Sequence, residues 1–119
     1  MNTDVEQQAV AVYPELQRLV DIRSAGWIFN VASIEGTVSV KGLYIWNPAS
    51  ISWADMIQIR DLTDAAAVRL NPNRQLVWQY EGDMVGAIDG LLQLPQPDDP
   101  FAPRLVIGKV GKLWVPGRQ

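Results

Sequence analysis

The sequence predicts an α+β domain: an antiparallel β-meander of about seven short strands, with an N-terminal helix and a second, amphipathic helix at about 83–94. Three observations lead to this fold class. Short apolar runs alternate with polar residues, glycine and proline turn signals separate these runs, and two stretches have the 3.6-residue period of a helix. Because 119 residues is a typical length for one domain, a single domain over 1–119 is expected, with a sheet that is strongly bent or barrel-like.

The first helix is predicted over 4–23. Thr3 and Glu6 have the spacing of a capping box, in which each side chain bonds the backbone N–H of the other residue. An apolar stripe with helical period follows. Pro14 interrupts this stretch. Since proline has no N–H and its ring crowds the preceding turn, it either kinks one helix or begins a second.

The clearest β-hairpin is predicted from residues 28–34 and 37–46, which flank Glu35-Gly36. The glycine supplies the positive φ that a two-residue loop needs, and counting outward from this loop gives the register. The predicted opposing pairs are Ile34–Thr37, Ala32–Ser39, Val31–Val40, Asn30–Lys41, Phe29–Gly42 and Trp27–Tyr44. One face is then apolar and the other largely polar, as a half-buried sheet requires.

Three more strands complete a meander that spans 27–81. They are predicted at 50–60, 65–70 and 74–81. The first of them is expected to carry a bulge near Asp55. The other two flank a three-residue loop, Asn71-Pro72-Asn73, and form a second hairpin. The cross-strand pairs expected from this loop are Val68–Leu76 and Ala66–Trp78. The second pair sets a small side chain beside a large one, which favours good packing.

The second helix is predicted over 83–94, with Gly82 or Asp83 as its cap and Pro95 after its end. Its expected apolar face consists of Val85, Ile88, Leu91 and Leu92. Gly86 and Gly90 weaken the helix by about 1 kcal/mol each relative to alanine, but they permit a close approach to the sheet. A polar, proline-rich loop follows. The chain is then predicted to form a terminal hairpin over 104–115, with strands at 104–107 and 112–115 across Gly108–Gly111.

The order of these elements resembles that of a known family. From Gly26 to Leu94, a meander is followed by an amphipathic helix. This order, over about 70 residues, is similar to that of pleckstrin-homology-like domains, in which a C-terminal helix plugs a strongly bent sheet. The N-terminal helix and the terminal hairpin depart from the family pattern. The resemblance implies a bent sheet and carries no motif that would imply a function.

The composition excludes several classes of function. The chain has no Cys and no His, which removes disulfides, thiolate nucleophiles, zinc sites built from these residues and His-based catalysis. The net charge is −3 and the ten basic residues are scattered, which argues against nucleic-acid binding. No stretch approaches 18 apolar residues and no signal peptide is visible. We therefore expect a cytoplasmic protein without membrane association and without a cofactor or metal site.

The aromatic residues are the first candidates for a binding surface, since five of the ten are Trp. Trp and Tyr offer a large, rigid contact area with a polar group. The hairpin register places Trp27, Tyr44 and Trp46 on the apolar face, which favours a role in the core. Trp53 and Trp114 are the better candidates for exposure to a ligand or partner.

A second group of aromatic residues could form a pocket between the sheet and the second helix. Trp78 and Tyr80 lie on the last strand of the meander, and Met84 and Ile88 lie on the helix. A ligand pocket there predicts a concave apolar cavity with a few converging polar groups. Trp78 and Tyr80 are therefore also candidate contact residues.

The carboxylates are candidates for catalysis, because a suitably spaced pair could hydrolyse a glycosidic bond. A carboxylate with Arg and Tyr could also activate water on an epoxide or ester. The candidates are Asp55, Asp61, Asp64, Glu81 and Asp83. Each lies near a strand end or a helix start, where acidic residues commonly cap and form turns. Asp98-Asp99 lacks the spacing of a calcium loop, and Gly108–Lys112 lacks that of a phosphate loop. No catalytic residue is assigned.

We expect a small non-enzymatic binding or protein-interaction module, which binds itself as a homodimer or binds another protein. Edge strands at 27–33 or 104–115 could pair between copies. Two alternatives stay open. One is a small-molecule ligand in the aromatic pocket, and the other is a hydrolase or isomerase that uses carboxylates alone.

Overall fold

The chain forms one antiparallel sheet with helices packed on one of its faces. The computed structural model describes residues 3–23, 26–46 and 52–109. In chain order the elements are α1 (Thr3–Val12), a 3₁₀ turn (Pro14–Leu16), α2 (Gln17–Arg23), β1 (Trp27–Ile34), β2 (Thr37–Ile45), β3 (Ala54–Asp61), β4 (Asp64–Leu70), β5 (Gln75–Gly82), α3 (Met84–Gln93) and β6 (Gly108–Lys109). The α+β fold class is confirmed.

The sheet is an open meander, which corrects two expectations. It has five full strands of seven to nine residues, and the two-residue β6 at one edge, in place of about seven strands. Neighbouring strands follow the chain order from β1 to β6. Within the described ranges β1 and β6 lie at opposite edges, so the sheet does not close into a barrel.

Pro14 begins a second helical segment, so the predicted helix over 4–23 is not continuous. The last α-helical bond before it runs from the Tyr13 N–H to the Ala9 carbonyl. Tyr13 then leaves the helical region, with φ −132° and ψ 88°. Pro14 lies at the start of the 3₁₀ turn, where its missing N–H breaks no helical bond. The turn continues directly into α2.

The register predicted for the first hairpin is confirmed at every pair. Ile34 opposes Thr37, and the alignment continues to Trp27 opposite Tyr44. Both loop residues have positive φ, 53° at Glu35 and 82° at Gly36, as a two-residue hairpin loop requires. The ring of Phe29 covers Gly42, where a Cβ atom would lie 2.8 Å from the ring.

The third strand is shorter than predicted. β3 begins at Ala54, four residues later than the expected start, and residues 47–51 lie outside the described ranges. Its irregularity falls between Ile59 and Asp61, near the tight turn to β4, so the bulge expected near Asp55 is wrong. Asp55 is instead in regular register, opposite Tyr44 on β2 and Arg69 on β4.

The second hairpin forms, but its loop begins one residue later than predicted. The Asn71 N–H donates to the Gln75 carbonyl, so Asn71 closes the loop and Pro72-Asn73-Arg74 turn the chain. The Asn71 side-chain carbonyl accepts from the N–H groups of Asn73 and Gln75, each at 2.9 Å. Arg74 takes φ 64°, a conformation that the sequence pattern gives no reason to expect of arginine.

This loop and a bulge change the pairing of β4 with β5. Leu70 opposes Leu76, and the register then shifts between Arg69 and Leu70, so that Arg69 opposes Trp78. The predicted pairs Val68–Leu76 and Ala66–Trp78 are therefore wrong. The extra residue on β5 places Trp78 across from a buried arginine, where the prediction set it beside alanine.

The second helix is confirmed within one residue at each end. Asp83 is its N-cap, and its carboxylate accepts the Gly86 N–H at 2.7 Å. The buried side chains are Met84, Ala87, Ile88 and Leu91. Val85 was expected on this face but is 45% exposed. The buried stripe is thus rotated toward Met84 and Ala87.

The terminal hairpin predicted over 104–115 is not formed as expected. Residues 104–107 are not a strand, and Gly108–Lys109, expected in the turn, form β6. β6 pairs with the start of β5, opposite Gln75 and Leu76. The backbone of Gly108–Lys109 is thus paired with β5. Residues 112–115 lie outside the described ranges.

The main core lies between the sheet and the helices. Side chains alternate across each strand, so Val40, Ile57 and Ala67 share the face that α1, α2 and α3 cover. Leu16 and Leu19 pack on it from the helical side. A smaller cluster on the opposite face contains Val68, Leu70 and Leu76, with Met56 packed against them.

Candidate functional site

The space between α3 and the sheet is filled by the two aromatic residues that were expected to line a pocket. A Cβ atom at Gly90 would lie 2.8 Å from the ring of Trp78, and one at Gly86 would overlap the hydroxyl of Tyr80. The two glycines thus let the rings enter the helix–sheet interface, as predicted. Met84 and Ile88 are buried beneath them. Trp78 and Tyr80 are brought together here as packing residues.

Tyr80 also supports the cap of α3. Its hydroxyl donates to the Asp83 carboxylate at 3.1 Å, and the same carboxylate oxygen accepts the Gly86 N–H. Burial raises the pKa of Tyr80 above its ordinary value, and the hydrogen bond to Asp83 raises it further. The phenol is therefore held protonated as a structural donor.

Of the other two aromatic candidates, Trp53 lies in the described ranges and Trp114 does not. Trp53 is half-buried at the entry to β3, and its carbonyl accepts the Trp46 N–H at 3.0 Å. Trp114 lies outside the described ranges. The structure thus gives Trp53 a role in joining β2 to β3.

Three of the carboxylates proposed for catalysis have local structural partners. Asp61 accepts the Leu62 N–H in the β3–β4 turn at 2.8 Å. Asp64 forms an ion pair with Arg60 at 3.3 Å, and both side chains are more than one-third exposed. Asp83 caps α3. These positions match the capping and turn roles that acidic residues usually have at element ends.

Asp55 is different, because it forms a fully buried ion pair with Arg69. Both side chains are 0% exposed. The guanidinium donates through Nε to Asp55 Oδ1 at 2.7 Å and through Nη2 to Oδ2 at 2.9 Å, which is a bidentate contact. Side chains two residues apart in a strand lie on the same face of the sheet, so Asp55 shares a face with Ile57, and Arg69 with Ala67. The pair therefore lies on the helix-covered face.

Trp46 and Pro95 complete the surroundings of this pair. The indole Nε1 of Trp46 donates to Asp55 Oδ2 at 3.2 Å, and the guanidinium carbon of Arg69 lies 5.4 Å from the centre of the Trp46 ring. The third arm of the guanidinium, Nη1, donates to the Pro95 carbonyl at 2.5 Å. Pro95 follows α3, so the buried pair fixes the point at which the next loop leaves the core.

This loop carries the two most exposed large apolar side chains of the described ranges, Phe101 and Leu105, and two more that are about half exposed. We call the residues Phe101, Leu105, Val106 and Ile107 the apolar segment. Their exposed fractions are 89%, 83%, 48% and 59%. A soluble monomer rarely leaves large apolar side chains so close together in water, and such patches commonly mark contact surfaces.

Hydrogen bonds hold the Phe101 end of the apolar segment in place. The Asp99 carboxylate accepts the Phe101 N–H at 2.8 Å, and the Asp99 carbonyl accepts the Ala102 N–H at 3.0 Å. Arg104 donates from Nη2 to the Pro97 carbonyl at 3.1 Å. Ala102 is buried, so it anchors the loop while its neighbour Phe101 points outward. The hydrogen-bonded turn at Asp99 therefore directs the Phe101 side chain into solvent.

The apolar segment ends at the edge of the sheet. The Ile107 N–H donates to the Leu76 carbonyl at 2.7 Å, and the next two residues form β6. Three of the four apolar side chains thus come directly before the outermost strand. The sequence interpretation named 104–115 as an edge strand that could pair between copies, but it did not identify the exposed side chains, because it assigned residues 97–103 to a polar loop and 104–107 to a strand. A Phe among prolines, followed by Leu-Val-Ile, was the available signal.

The described residues hold neither a cluster of metal ligands nor a helix that could cross a membrane. No group of three or more acidic side chains is close enough to hold a metal ion. None of the helices combines the length and the apolar character needed to cross a bilayer. A shallow groove of about 300 Å³ lies beside α1 and α2, lined by Glu6, Gln7, Val10, Ala11 and Gln17. Its lining includes none of the aromatic candidates.

Comparison with known proteins gives no match, whether to a family model, to a curated protein or to a solved structure.

Proposed function

We propose that this protein is a non-enzymatic protein-interaction module and that the apolar segment is its contact surface. The observation that carries this proposal is the exposure of Phe101, Leu105, Val106 and Ile107 on a backbone that hydrogen bonds hold in place. Covering a Leu or Phe side chain is worth about 1.5–3 kcal/mol. The exposed side chains therefore offer a partner chain a favourable contact.

The arrangement of the segment also supports a role in binding. Large apolar side chains in a mobile loop would cost conformational entropy when a partner orders them. Here the Asp99 turn and the bond from Ile107 to Leu76 already fix the backbone. Binding then requires little ordering, so more of the free energy of apolar burial contributes to affinity.

Neither alternative function has comparable support. A pocket between α3 and the sheet would need empty space, and the rings of Trp78 and Tyr80 occupy that space. A carboxylate hydrolase would need a carboxyl group held in a cleft beside a second titratable group. Asp55 is fully buried against Arg69, Asp61, Asp64 and Asp83 have local partners in a turn, an ion pair and a helix cap, and Glu81 is exposed on β5. We therefore favour the interaction module.

The proposal is tested by native mass spectrometry on gently purified protein, which reads protein partners and retained small molecules together. The expected result is a complex with at least one further protein chain, of this kind or another. A single chain that carries a stoichiometric small molecule would contradict the proposal and favour the ligand-binding alternative. A bare single chain would also contradict it.

Two matched variants then test the surface. In Phe101→Ser/Leu105→Ser, two highly exposed side chains are made polar, so the complex should be lost while the free energy of unfolding changes by no more than about 0.5 kcal/mol. Leu62→Ser is the control, because Leu62 is 58% exposed in the β3–β4 turn and lies outside the apolar segment. A complex that survives the double change would refute the assignment of this surface.

A further inference from the structure

The guanidinium of Arg69 is oriented by the core before it reaches the loop after α3. Its Nε and Nη2 donate to the two carboxylate oxygens of Asp55, and its central carbon lies 5.4 Å from the centre of the Trp46 ring. Because a guanidinium is planar and rigid, these contacts fix the direction of the remaining arm. That arm, Nη1, donates to the Pro95 carbonyl. The core therefore directs this bond.

The Pro95 carbonyl is the first acceptor of the loop. Pro95 directly follows Leu94, the C-cap of α3, and the turn bonds of the loop begin one residue later, where the Gln96 carbonyl accepts the Asp99 N–H at 2.9 Å. A partly buried carbonyl that loses its donor is destabilised unless it moves to reach water. Loss of the Arg69 bond should therefore let the start of the loop move away from the core.

Turn bonds within the loop connect this start to Phe101. The Asp99 carbonyl accepts the Ala102 N–H, and the Asp99 carboxylate accepts the Phe101 N–H at 2.8 Å. With the bond at Gln96 they form one continuous turn. Phe101 is 89% exposed. A displacement at the start of the loop is therefore passed along the turn to the most exposed side chain of the apolar segment.

Hydrogen bonds attach the loop to the sheet at both of its ends. Arg69 bonds Pro95 at the start, and the Leu76 carbonyl accepts the Ile107 N–H at the far end. Between these bonds the side chain of Ala102 is buried. Apolar burial has no preferred direction, whereas a hydrogen bond does. The Arg69 bond therefore sets the orientation in which the loop leaves α3.

An apolar residue at position 69 could fill the core but would leave the start of the loop without this bond. Position 69 shares the helix-covered face with Ala67. A buried ion pair often contributes no more stability than well-packed apolar residues of similar volume. Stability alone therefore does not account for an arginine whose third arm bonds the loop.

We infer that Arg69 is a positioning residue for the apolar segment: through the Pro95 carbonyl it fixes the start of the loop that presents Phe101 to a partner. The inference rests on the proposed function and adds to it a residue that does not touch the partner, because the Arg69 side chain is 0% exposed. It also assigns the buried ion pair a role in binding besides its role in the fold.

Hydrogen exchange of the Phe101 and Ala102 amides, followed by NMR, tests the inference. The variant Asp55→Val/Arg69→Met removes the Pro95 bond without leaving a buried charge unpaired. Both amides should exchange at least about tenfold faster than in the wild type, the factor expected when a hydrogen bond to a charged group is lost. Arg69→Lys is the second variant if the double one does not fold. It keeps a charge opposite Asp55, but one ammonium cannot reproduce the planar fork, so the same acceleration is expected.

Gly42→Ala is the matched control, and urea midpoints establish which variants are folded. It crowds the Phe29 ring in the first hairpin and so weakens the fold, but it leaves Arg69 and the loop unchanged. The two loop amides should then keep their wild-type exchange rates. Wild-type rates in a folded Arg69 variant, or an equal acceleration in Gly42→Ala, would overturn the inference and leave the proposed function standing. The proposed function fails separately, if native mass spectrometry shows a bare single chain although the loop amides respond as expected.

Discussion

Replacing one member of the buried ion pair should cost much more stability than replacing a member of an exposed pair. Arg69→Met takes the guanidinium away from the Asp55 carboxylate, which is 0% exposed, and it removes three hydrogen bonds, two to Asp55 and one to Pro95. Breaking a buried pair in this way costs about 3–5 kcal/mol. At roughly 0.05–0.15 kcal/mol per residue, the whole chain of 119 residues has a stability of about 6–18 kcal/mol. The loss is therefore a large share of the total.

Urea unfolding followed by tryptophan fluorescence measures this loss. With a slope of about 2 kcal/mol per molar urea, a loss of 4 kcal/mol lowers the midpoint by about 2 M. The matched control is Arg60→Met. Arg60 pairs with Asp64 at 3.3 Å, but the side chains are 39% and 57% exposed, so its loss should cost at most about 1 kcal/mol. Equal midpoints for Arg69→Met and Arg60→Met would refute the reasoning.

The double variant Asp55→Val/Arg69→Met tests the origin of the loss. With both charges removed, no buried ion lacks a counter-ion, so the double variant should be more stable than the sum of the two single losses predicts. It still lacks the bonds that Trp46 and Pro95 make with the pair, and full wild-type stability is not expected. Strict additivity would show that the two charges do not interact in the native state.

Three further predictions concern local packing and capping. Gly42→Ala should destabilise the fold by about 1–3 kcal/mol, because the added Cβ would lie 2.8 Å from the Phe29 ring; an unchanged urea midpoint would contradict this packing. Asp83→Ala should cost about 1 kcal/mol through loss of the α3 cap, and a thermal melt checks it against Asp98→Ala, since Asp98 is exposed in the loop after α3. The pKa of Tyr80 is raised in the folded state, so its contribution to stability is complete below about pH 10 and is lost as pH rises through the folded value. Urea midpoints from about pH 9 to 11 should therefore fall less steeply in Tyr80→Phe than in the wild type, and parallel curves would argue against the shift.

The first hairpin could be predicted in full, because its determinants are local. Gly36 permits the two-residue loop, and one count from this loop fixes every pair of β1 and β2. The same is true of α3, where Asp83 and Pro95 mark the ends. Where a turn or cap residue and the spacing of the apolar residues indicate the same element, few other structures fit the sequence.

The second hairpin could not be predicted to the residue, because its register depends on side-chain bonds and on a buried charge. Asn71 closes the loop by accepting two N–H groups, and Arg74 takes positive φ without being glycine. Arg69 occupies a core position that alternation assigns to an apolar residue. Its partner Asp55 lies 14 residues away, so no local pattern identifies the pair.

The candidate surface escaped prediction for a different reason. The run Leu105-Val106-Ile107 reads as a buried strand, because composition does not distinguish an apolar side chain in a core from one left in water. Exposure is decided by what the rest of the chain covers. For two of the aromatic candidates the structure adds a contact that composition does not show: Gly86 and Gly90 make room for the rings of Tyr80 and Trp78 against α3.

The buried pair and the exposed segment are linked through Pro95. Two arms of the Arg69 guanidinium bond Asp55, and the third bonds the carbonyl of Pro95, where the loop after α3 begins. At its far end the same loop bonds Leu76 through the Ile107 N–H. The apolar segment is therefore held between a core anchor and a strand edge. Since a charged pair in the core often contributes no more stability than apolar residues would, its directional bond to the loop gives a physical reason for its presence. Under the proposed function, apolar side chains that are fixed in advance would bind with a smaller loss of conformational entropy, and the Arg69–Pro95 bond would contribute to that fixing.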